Sequence, residues 1–358
     1  MIIIWTEIDQ GGILMDVYSI IQSLVPELDQ LLPARLELMR YLSVMDNRVG
    51  RQSLAQALNL SERTMRSLIN VLRGQNIVDV ERNGVQLTDF GQKTLAQIEK
   101  VLETDTSLSL SYYETALKQH FNLKDCIVLP GDSLRQESVY EAMSHAVQDL
   151  LAQLLHEGDN VIAVTGGYTL AHVGRYFLPH YRKGRKITFV PTRGGFGGDF
   201  SIQSSTVGGL MARQSQADYI PFFIPESLTA ETSRLLMEEP SVKEAIEISK
   251  KADCLLLSVG TADVMGQRRN ITPDQRRKIS QEAAVGEAFG VFFDKEGREV
   301  IRYPRIGLQI EDLANIPNII TIVGGRAKAQ AIAAFYKTVP HPGILFCDEA
   351  LAKQVLNG

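Results

Sequence analysis

Three apolar runs, Val161–Thr165, Cys254–Val259 and Asn318–Val323, each lead into a glycine-containing loop: Gly166-Gly167, Gly260 and Gly324-Gly325. Open α/β sheets bind ligands beyond the carboxyl ends of their strands, so three such loops converging make one pocket. The first loop, Thr165-Gly166-Gly167-Tyr168-Thr169, opens a helical stretch. Its backbone amides and helix dipole favour an anion, with the Thr165 and Thr169 hydroxyls as further donors. Cations follow the ends of the same class of strand: Arg193, Arg268 and Arg269, and Lys328. Taken singly these are turn glycines and surface charges. Taken together they suit a phosphorylated ligand, and one with two phosphates better than one. The first loop is not GxGxxG and no Walker lysine follows it, which argues against a nicotinamide or ATP enzyme.

A second set of residues suits a different anion. Pro33–Gly74 holds seven arginines (Arg35, Arg40, Arg48, Arg51, Arg63, Arg66, Arg73) and three acids (Glu37, Asp46, Glu62), a net +4 inside a chain of −5. Leu54, Ala55, Leu58, Leu60, Met65, Leu68, Ile69 and Leu72 take core positions at helical spacing. That leaves Ser61, Glu62, Arg63, Thr64, Arg66, Ser67 and Asn70 on the outer face. Arginine reads guanine bidentately, and serine, threonine and asparagine satisfy phosphates or adenine, so this face suits a recognition helix in a major groove. Ser61 is placed to cap that helix and Gly74 to end it. Asn83-Gly84 then splits an alternating run, a strong hairpin signal. Arg82 at its tip reaches backbone or minor groove. Helix, turn, helix and hairpin in that order define a winged helix-turn-helix.

These sites need elements to hold them. With 358 residues, the chain is long enough for two domains. Residues 15–105 carry the winged helix-turn-helix, and the early helix from Asp16 to Tyr41 contains Pro26 and Pro33, each suited to a first turn. Residues 106–124 read as a connector helix and 125–358 as an α/β domain. In that last part, Cys126–Leu129, Val161–Thr165, Lys186–Thr192, Tyr219–Phe223, Cys254–Val259, Phe289–Phe293, Asn318–Val323 and Ile344–Cys347 are β-branched or apolar runs separated by amphipathic stretches. Strands without alternation are buried on both faces, so the fold class is α/β with a Rossmann-like, mostly parallel sheet. Gly297 marks one antiparallel hairpin.

At 44% hydrophobic and 22% charged residues, the composition excludes a disordered or collagen-like chain. Cys126, Cys254 and Cys347 lie in apolar runs without a CxxC pair and read as small hydrophobes of a reducing cytoplasm. No apolar run reaches the roughly 20 residues that span a bilayer. The amino terminus lacks a basic region before its apolar stretch and contains Glu7 and Asp9, unlike a secretory signal. Gly11-Gly12, whose GGN codons can spell a purine-rich ribosome-binding sequence, precede Met15 by a few codons. Met15 is therefore an expected start, with residues 1–14 a translated leader; the other reading is an N-terminal arm.

The segments TGGYT (165–169), PTRGGFGG (191–198), SVGTADVM (258–265), GEAFG (286–290) and VGGRAKAQAI (323–332) occur in an order that resembles the SorC/DeoR-type bacterial transcriptional regulators. The resemblance runs from Met15 to the end. It implies a winged helix-turn-helix joined to a sugar-phosphate-binding domain related to sugar-phosphate isomerases and deaminases. It implies a repressor of glycolytic genes with operator DNA as partner, no cofactor, and fructose-1,6-bisphosphate as inducer. A dimer-to-tetramer assembly would respond to that inducer. Carried onto matching positions, the effector contacts are Thr165, Gly166, Gly167, Tyr168, Thr169, Arg193, Gln203, Gly260, Arg268, Arg269, Glu287 and Lys328. The first loop and Lys328 are assigned to one phosphate, Arg193 and Arg268 to the other, and Gln203 and Glu287 to sugar hydroxyls. Two alternatives stay open: a related regulator of another sugar operon, and a sugar-phosphate isomerase or deaminase. The loop Thr261–Arg269 lacks an Asp-Gly-His-type run, and only Asp263 and Glu287 offer carboxylates for acid–base work.

Overall fold

The computed structural model describes residues 24–25, 27–45, 47–58, 60–104, 106–182, 184–195, 199–222, 224, 230–268, 271–303, 305–339 and 341–357. Residues 1–14 and Pro26 lie outside these. The chain divides into two compact units between Ala116 and Leu117, within the helix Thr106–His120.

In the first unit, helix Leu28–Ser43 buries Leu36, Leu38, Met39 and Leu42. Pro33 lies inside this helix rather than in its first turn. Only one ladder bond is lost to its missing N–H, and the buried leucine stripe that follows outweighs it. Helices Arg51–Ala57 and Glu62–Gly74 bury Leu54, Ala55, Met65, Leu68, Ile69 and Leu72, as the spacing requires. Leu58 and Leu60 are only part-buried. Gly74 is the last helical residue, and the left-handed position belongs to Asn76 at φ 57. Asn76 N–H donates to Arg73 O and Ile77 N–H to Leu72 O, closing the helix end.

The hairpin pairs β1 (Val78–Glu81) with β2 (Gly84–Leu87), Glu81 facing Gly84. Its turn residues are thus Arg82-Asn83, one position earlier than the Asn83-Gly84 expectation. Gly84 sits on the strand at φ 138, where a Cβ would lie 2.7 Å from Val49 O. That close approach lets Val49 and Val85 exchange two hydrogen bonds of 2.9 Å, so the wing gains a third, minimal strand.

The second unit contains β3 (Asp125–Leu129), β4 (Gly158–Val164), β5 (Arg185–Pro191), β6 (Asp218–Tyr219), β7 (Cys254–Leu257), β8 (Gly260–Thr261), β9 (Gly286–Ala288), β10 (Val291–Phe293), β11 (Glu299–Arg302), β12 (Ile319–Val323) and β13 (Ile344–Asp348). Seven form one sheet in the order β3-β13-β12-β7-β4-β5-β6, with every pair parallel. Every residue of β7, β12 and β13 is buried, which requires cover on both faces. Of the expected strand Tyr219–Phe223, the described residues form only the edge pair Asp218–Tyr219, ahead of Pro221, and Phe223 lies outside the described residues. The antiparallel hairpin at Gly297 exists, but within a separate four-stranded sheet, β11-β10-β9-β8. Strands of two or three residues such as β8 and β9 are too short to show a period in sequence.

From β4 the chain proceeds outward to β5 and β6, then returns across β4 to β7 and on to β12 and β13. The strand order reverses between β4 and β7, and the crevice at their carboxyl ends is where such a sheet binds ligands. Cys126, Cys254 and Cys347 are buried and form no disulfide with one another. No helix among the described residues is long and apolar enough to cross a membrane.

Candidate functional site

The first unit presents its predicted face to solvent. Ser61, Arg63, Thr64, Arg66, Ser67 and Asn70 are all exposed, and Arg63, Arg66, Ser67 and Asn70 follow the spacing of a single helical face. Ser61 accepts from Thr64 N–H at 3.1 Å, and its hydroxyl meets that of Thr64 at 2.8 Å. These two therefore act first on the helix start, and Arg63 and Arg66 are the cations of the exposed face. Arg82 is exposed at the wing tip. Two arginines of the +4 segment are spent internally: Arg48 pairs with Asp79 and Glu81 of the wing, and Arg40 with Glu99 and the Tyr112 hydroxyl.

In the second unit a cavity of about 270 Å³ opens at the β4/β7 crossover. Thr165, Gly166, Gly167, Tyr168, Thr169, Arg193, Gln203, Gly260, Arg268, Glu287 and Lys328 all line it. Arg269 lies outside the described residues. Asp263 does not line the cavity and is exposed, whereas Asp199 does line it. The pocket's carboxylates are thus Asp199 and Glu287, set against Arg193, Arg268, Arg305 and Lys328. Arg305 and Asp199 escape sequence reasoning because neither follows an apolar strand directly.

The first loop is held more tightly than an open anion cradle. Gly167 N–H donates to Ile202 O at 2.9 Å, so it is not available to a phosphate. Gly166 has no room for a Cβ against the same Ile202 carbonyl. Thr165 Oγ1 accepts from Ser258 N–H at 3.1 Å and donates to Gly166 O at 3.3 Å, tying the β4 loop to the β7 loop. Its hydroxyl is structural rather than a spare donor. Thr169 Oγ1 accepts from Lys328 Nζ at 3.2 Å, leaving its own proton for a ligand. The Tyr168 ring, 45% exposed, stacks on His172 with centroids 4.2 Å apart. His172 Nδ1 in turn meets the Glu137 carboxylate at 2.9 Å.

Lys328 is part-buried and lines the cavity. Burial pushes its ammonium down to about 8, Arg268 adds to the effect, and Asp348 opposes it. Two cations that repel each other at one pocket wall favour an anion there. Asp348 is fully buried at the end of β13 and accepts from Ser133 N–H (3.0 Å), Ser133 Oγ (2.5 Å), Gly325 N–H (2.8 Å) and Leu351 N–H (2.8 Å). This one carboxylate fastens the Gly324-Gly325 loop that carries Lys328. Glu287, 3% exposed, accepts from Gly290 N–H at 2.7 Å, which orients it at the pocket wall. Asp199 is held below the usual carboxylate range by Ser201 hydrogen bonds, with a smaller contribution from Arg268.

A winged helix-turn-helix unit joined in one chain to an α/β unit with a cation-lined crevice defines a ligand-responsive DNA-binding protein. Comparison with known proteins sharpens this class. Residues 106–357 match the sugar-binding domain family, and residues 31–102 match the family described as CggR N-terminal DNA binding domain. The central glycolytic genes regulator of Bacillus subtilis is 36% identical over 336 residues, covering 94% of this chain and 97% of that protein. A solved SorC family transcriptional regulator from Enterococcus faecalis superposes with a TM-score of 0.65 at 38% identity, covering 68% of this chain and 99% of that one. The full-length sorbitol operon regulator SorC from Klebsiella pneumoniae shares the fold over 92% of this chain and 99% of its own, with a TM-score of 0.59 at 17% identity. The chain belongs to the SorC/DeoR-type family of sugar-binding transcriptional regulators. It is a regulator and not an isomerase or deaminase, as its relative over 94% of the chain and its solved neighbour over 68% are regulators.

Proposed function

We propose that the chain is a cytoplasmic repressor of glycolytic genes whose α/β unit takes a sugar bisphosphate, fructose-1,6-bisphosphate, as inducer. The reading is carried by the excess of cations over carboxylates around the crevice, where partial burial and Arg268 together depress the Lys328 ammonium. A dianionic phosphate relieves both. Its similarity to the Bacillus subtilis regulator of central glycolytic genes supports the operon class. The influence of Arg268 on Lys328 moves that arginine from the Arg193 phosphate to the other one: Thr169, Lys328 and Arg268 receive one phosphate, Gln203 and Glu287 the sugar hydroxyls, and Arg193 the far phosphate.

Induction follows by linkage. An effector that binds one quaternary arrangement more tightly than another shifts the spacing of recognition helices relative to operator half-sites. The assembly proposed is a tetramer on DNA, formed from two dimers and loosened by inducer. A thermal-shift panel of sugar phosphates tests the effector class, because stabilisation grows with the logarithm of ligand concentration over its dissociation constant. A larger shift with bisphosphates than with monophosphates is expected. Equal shifts with monophosphates, or unchanged operator affinity and DNA-bound stoichiometry at saturating fructose-1,6-bisphosphate, refute it.

A further inference from the structure

The assignments above leave one cation of the pocket without a role. Arg305 follows β11 and lines the cavity together with Arg193. Two supports fix it. Its Nη2 donates to Thr192 O at 3.1 Å, and its guanidinium carbon lies 5.3 Å from the centroid of the Phe289 ring, within cation–π range.

Both supports are anchored. Leu308 N–H also donates to Thr192 O at 2.8 Å, and Arg193 bridges to Gly307. The segment 305–308 is thereby laced to the end of β5. Gly307 permits the approach, since at φ 134 it has no Cβ to strike the Thr192 carbonyl. Phe289 opens the two-residue turn between β9 and β10, where Ala288 faces Val291. Its φ is 53, its side chain is 5% exposed, and it lines the same cavity. A bulky residue rarely adopts this backbone, and such an outlier at a pocket wall points towards function.

We propose that Arg305 contacts the ligand and, with Arg193, forms an anion locus separate from that of Lys328, setting a preference for sugars carrying two phosphates over one. The inference rests on the sugar-bisphosphate reading above. Its geometry comes from the sheet: β5 and β12 are separated by β7 and β4. Three strand spacings are roughly 14 Å at about 4.8 Å each. The backbone ends that carry Arg193 and Lys328 are thus well apart along the cavity, a separation that suits a hexose phosphorylated at both ends better than a single phosphate. The Phe289 face holds the guanidinium plane and excludes water from one side of it, which favours a bidentate phosphate contact.

Calorimetric titration of the full chain tests this, with wild type, R305Q, R305K and F289L each titrated with fructose-1,6-bisphosphate, fructose 1-phosphate and fructose 6-phosphate. R305Q is expected to bind the bisphosphate roughly tenfold or more weakly, the scale of a charge-assisted hydrogen bond. The monophosphate seated at Lys328 should bind R305Q as it binds wild type. R305K, which keeps charge but loses the planar fork, should fall between, as should F289L. Unchanged bisphosphate affinity in an R305Q protein whose unliganded unfolding midpoint matches wild type overturns the role of Arg305 alone. Equal loss for all three ligands overturns it too, since the effect is then structural. A wild type with no preference for the bisphosphate overturns it together with the reading beneath it. If R305Q does not fold, R305K decides: reduced selectivity supports the assignment and unchanged selectivity overturns it.

Discussion

Lys328→Met should stabilise the unliganded protein while weakening its response to effector. The Lys328 ammonium is pushed from an ordinary 10.5 down to about 8, and each unit is about 1.4 kcal/mol, so holding the charge in the empty pocket costs at most about 3.5 kcal/mol. The true figure is smaller, because the site opens to water and methionine forfeits the bond to Thr169. The sign is set by linkage. A lysine whose folded pKa lies below its unfolded one destabilises fully below about pH 8, and the penalty disappears as pH rises towards 10.5. At pH 7 the variant should therefore unfold several degrees higher than wild type, since each kcal/mol is worth roughly 2–4 °C in a unit of this size. The advantage should vanish near pH 10. Effector binding has the opposite requirement. A bound phosphate raises the lysine pKa, so wild-type affinity should be flat from pH 7 to 8 and decline above 8, while the variant binds weakly with no such decline. Thermal unfolding with and without fructose-1,6-bisphosphate at pH 7, 8, 9 and 10 reads both effects. A variant less stable than wild type at pH 7, or one that keeps the full ligand-induced shift, refutes the reasoning.

Two further perturbations separate the units and the loops. Arg268→Ala should weaken effector binding and leave operator affinity intact, whereas Arg66→Ala should weaken operator binding and reduce its salt slope by about one; electrophoretic and calorimetric titrations would expose swapped outcomes. Asp348→Ala strands the donors of Ser133, Gly325 and Leu351, at about 1–3 kcal/mol each before relaxation. Denaturant unfolding should show a loss of several kcal/mol, and a stability close to wild type would contradict the anchoring of the Gly325 loop.

Much of the site was legible because glycines and cations follow buried strands directly. The loops at Thr165, Gly260 and Gly324 announce themselves by the apolar runs before them, and the cavity brings all three together. What the pattern could not supply was the use of each polar atom. The Gly167 amide and the Thr165 hydroxyl look like anion donors in sequence, yet the fold commits them to Ile202 and Gly166. The misplaced hairpin turn has a similar cause: Gly84 answers to the approach of Val49, a contact 35 positions away in the chain.

By itself the sequence determined the two kinds of unit, the exposed polar face of the helix Glu62–Gly74 and the strand-end loops that line the cavity, because helical spacing, local charge and strand-end glycines are short-range signals. Only tertiary structure decided that Asp199 and not Asp263 enters the pocket, that Asp348 holds the lysine loop, and that Arg305 stands beside Arg193. Those placements depend on which strands are neighbours, and a β-strand end carries no mark of the loop that will pack against it from far along the chain.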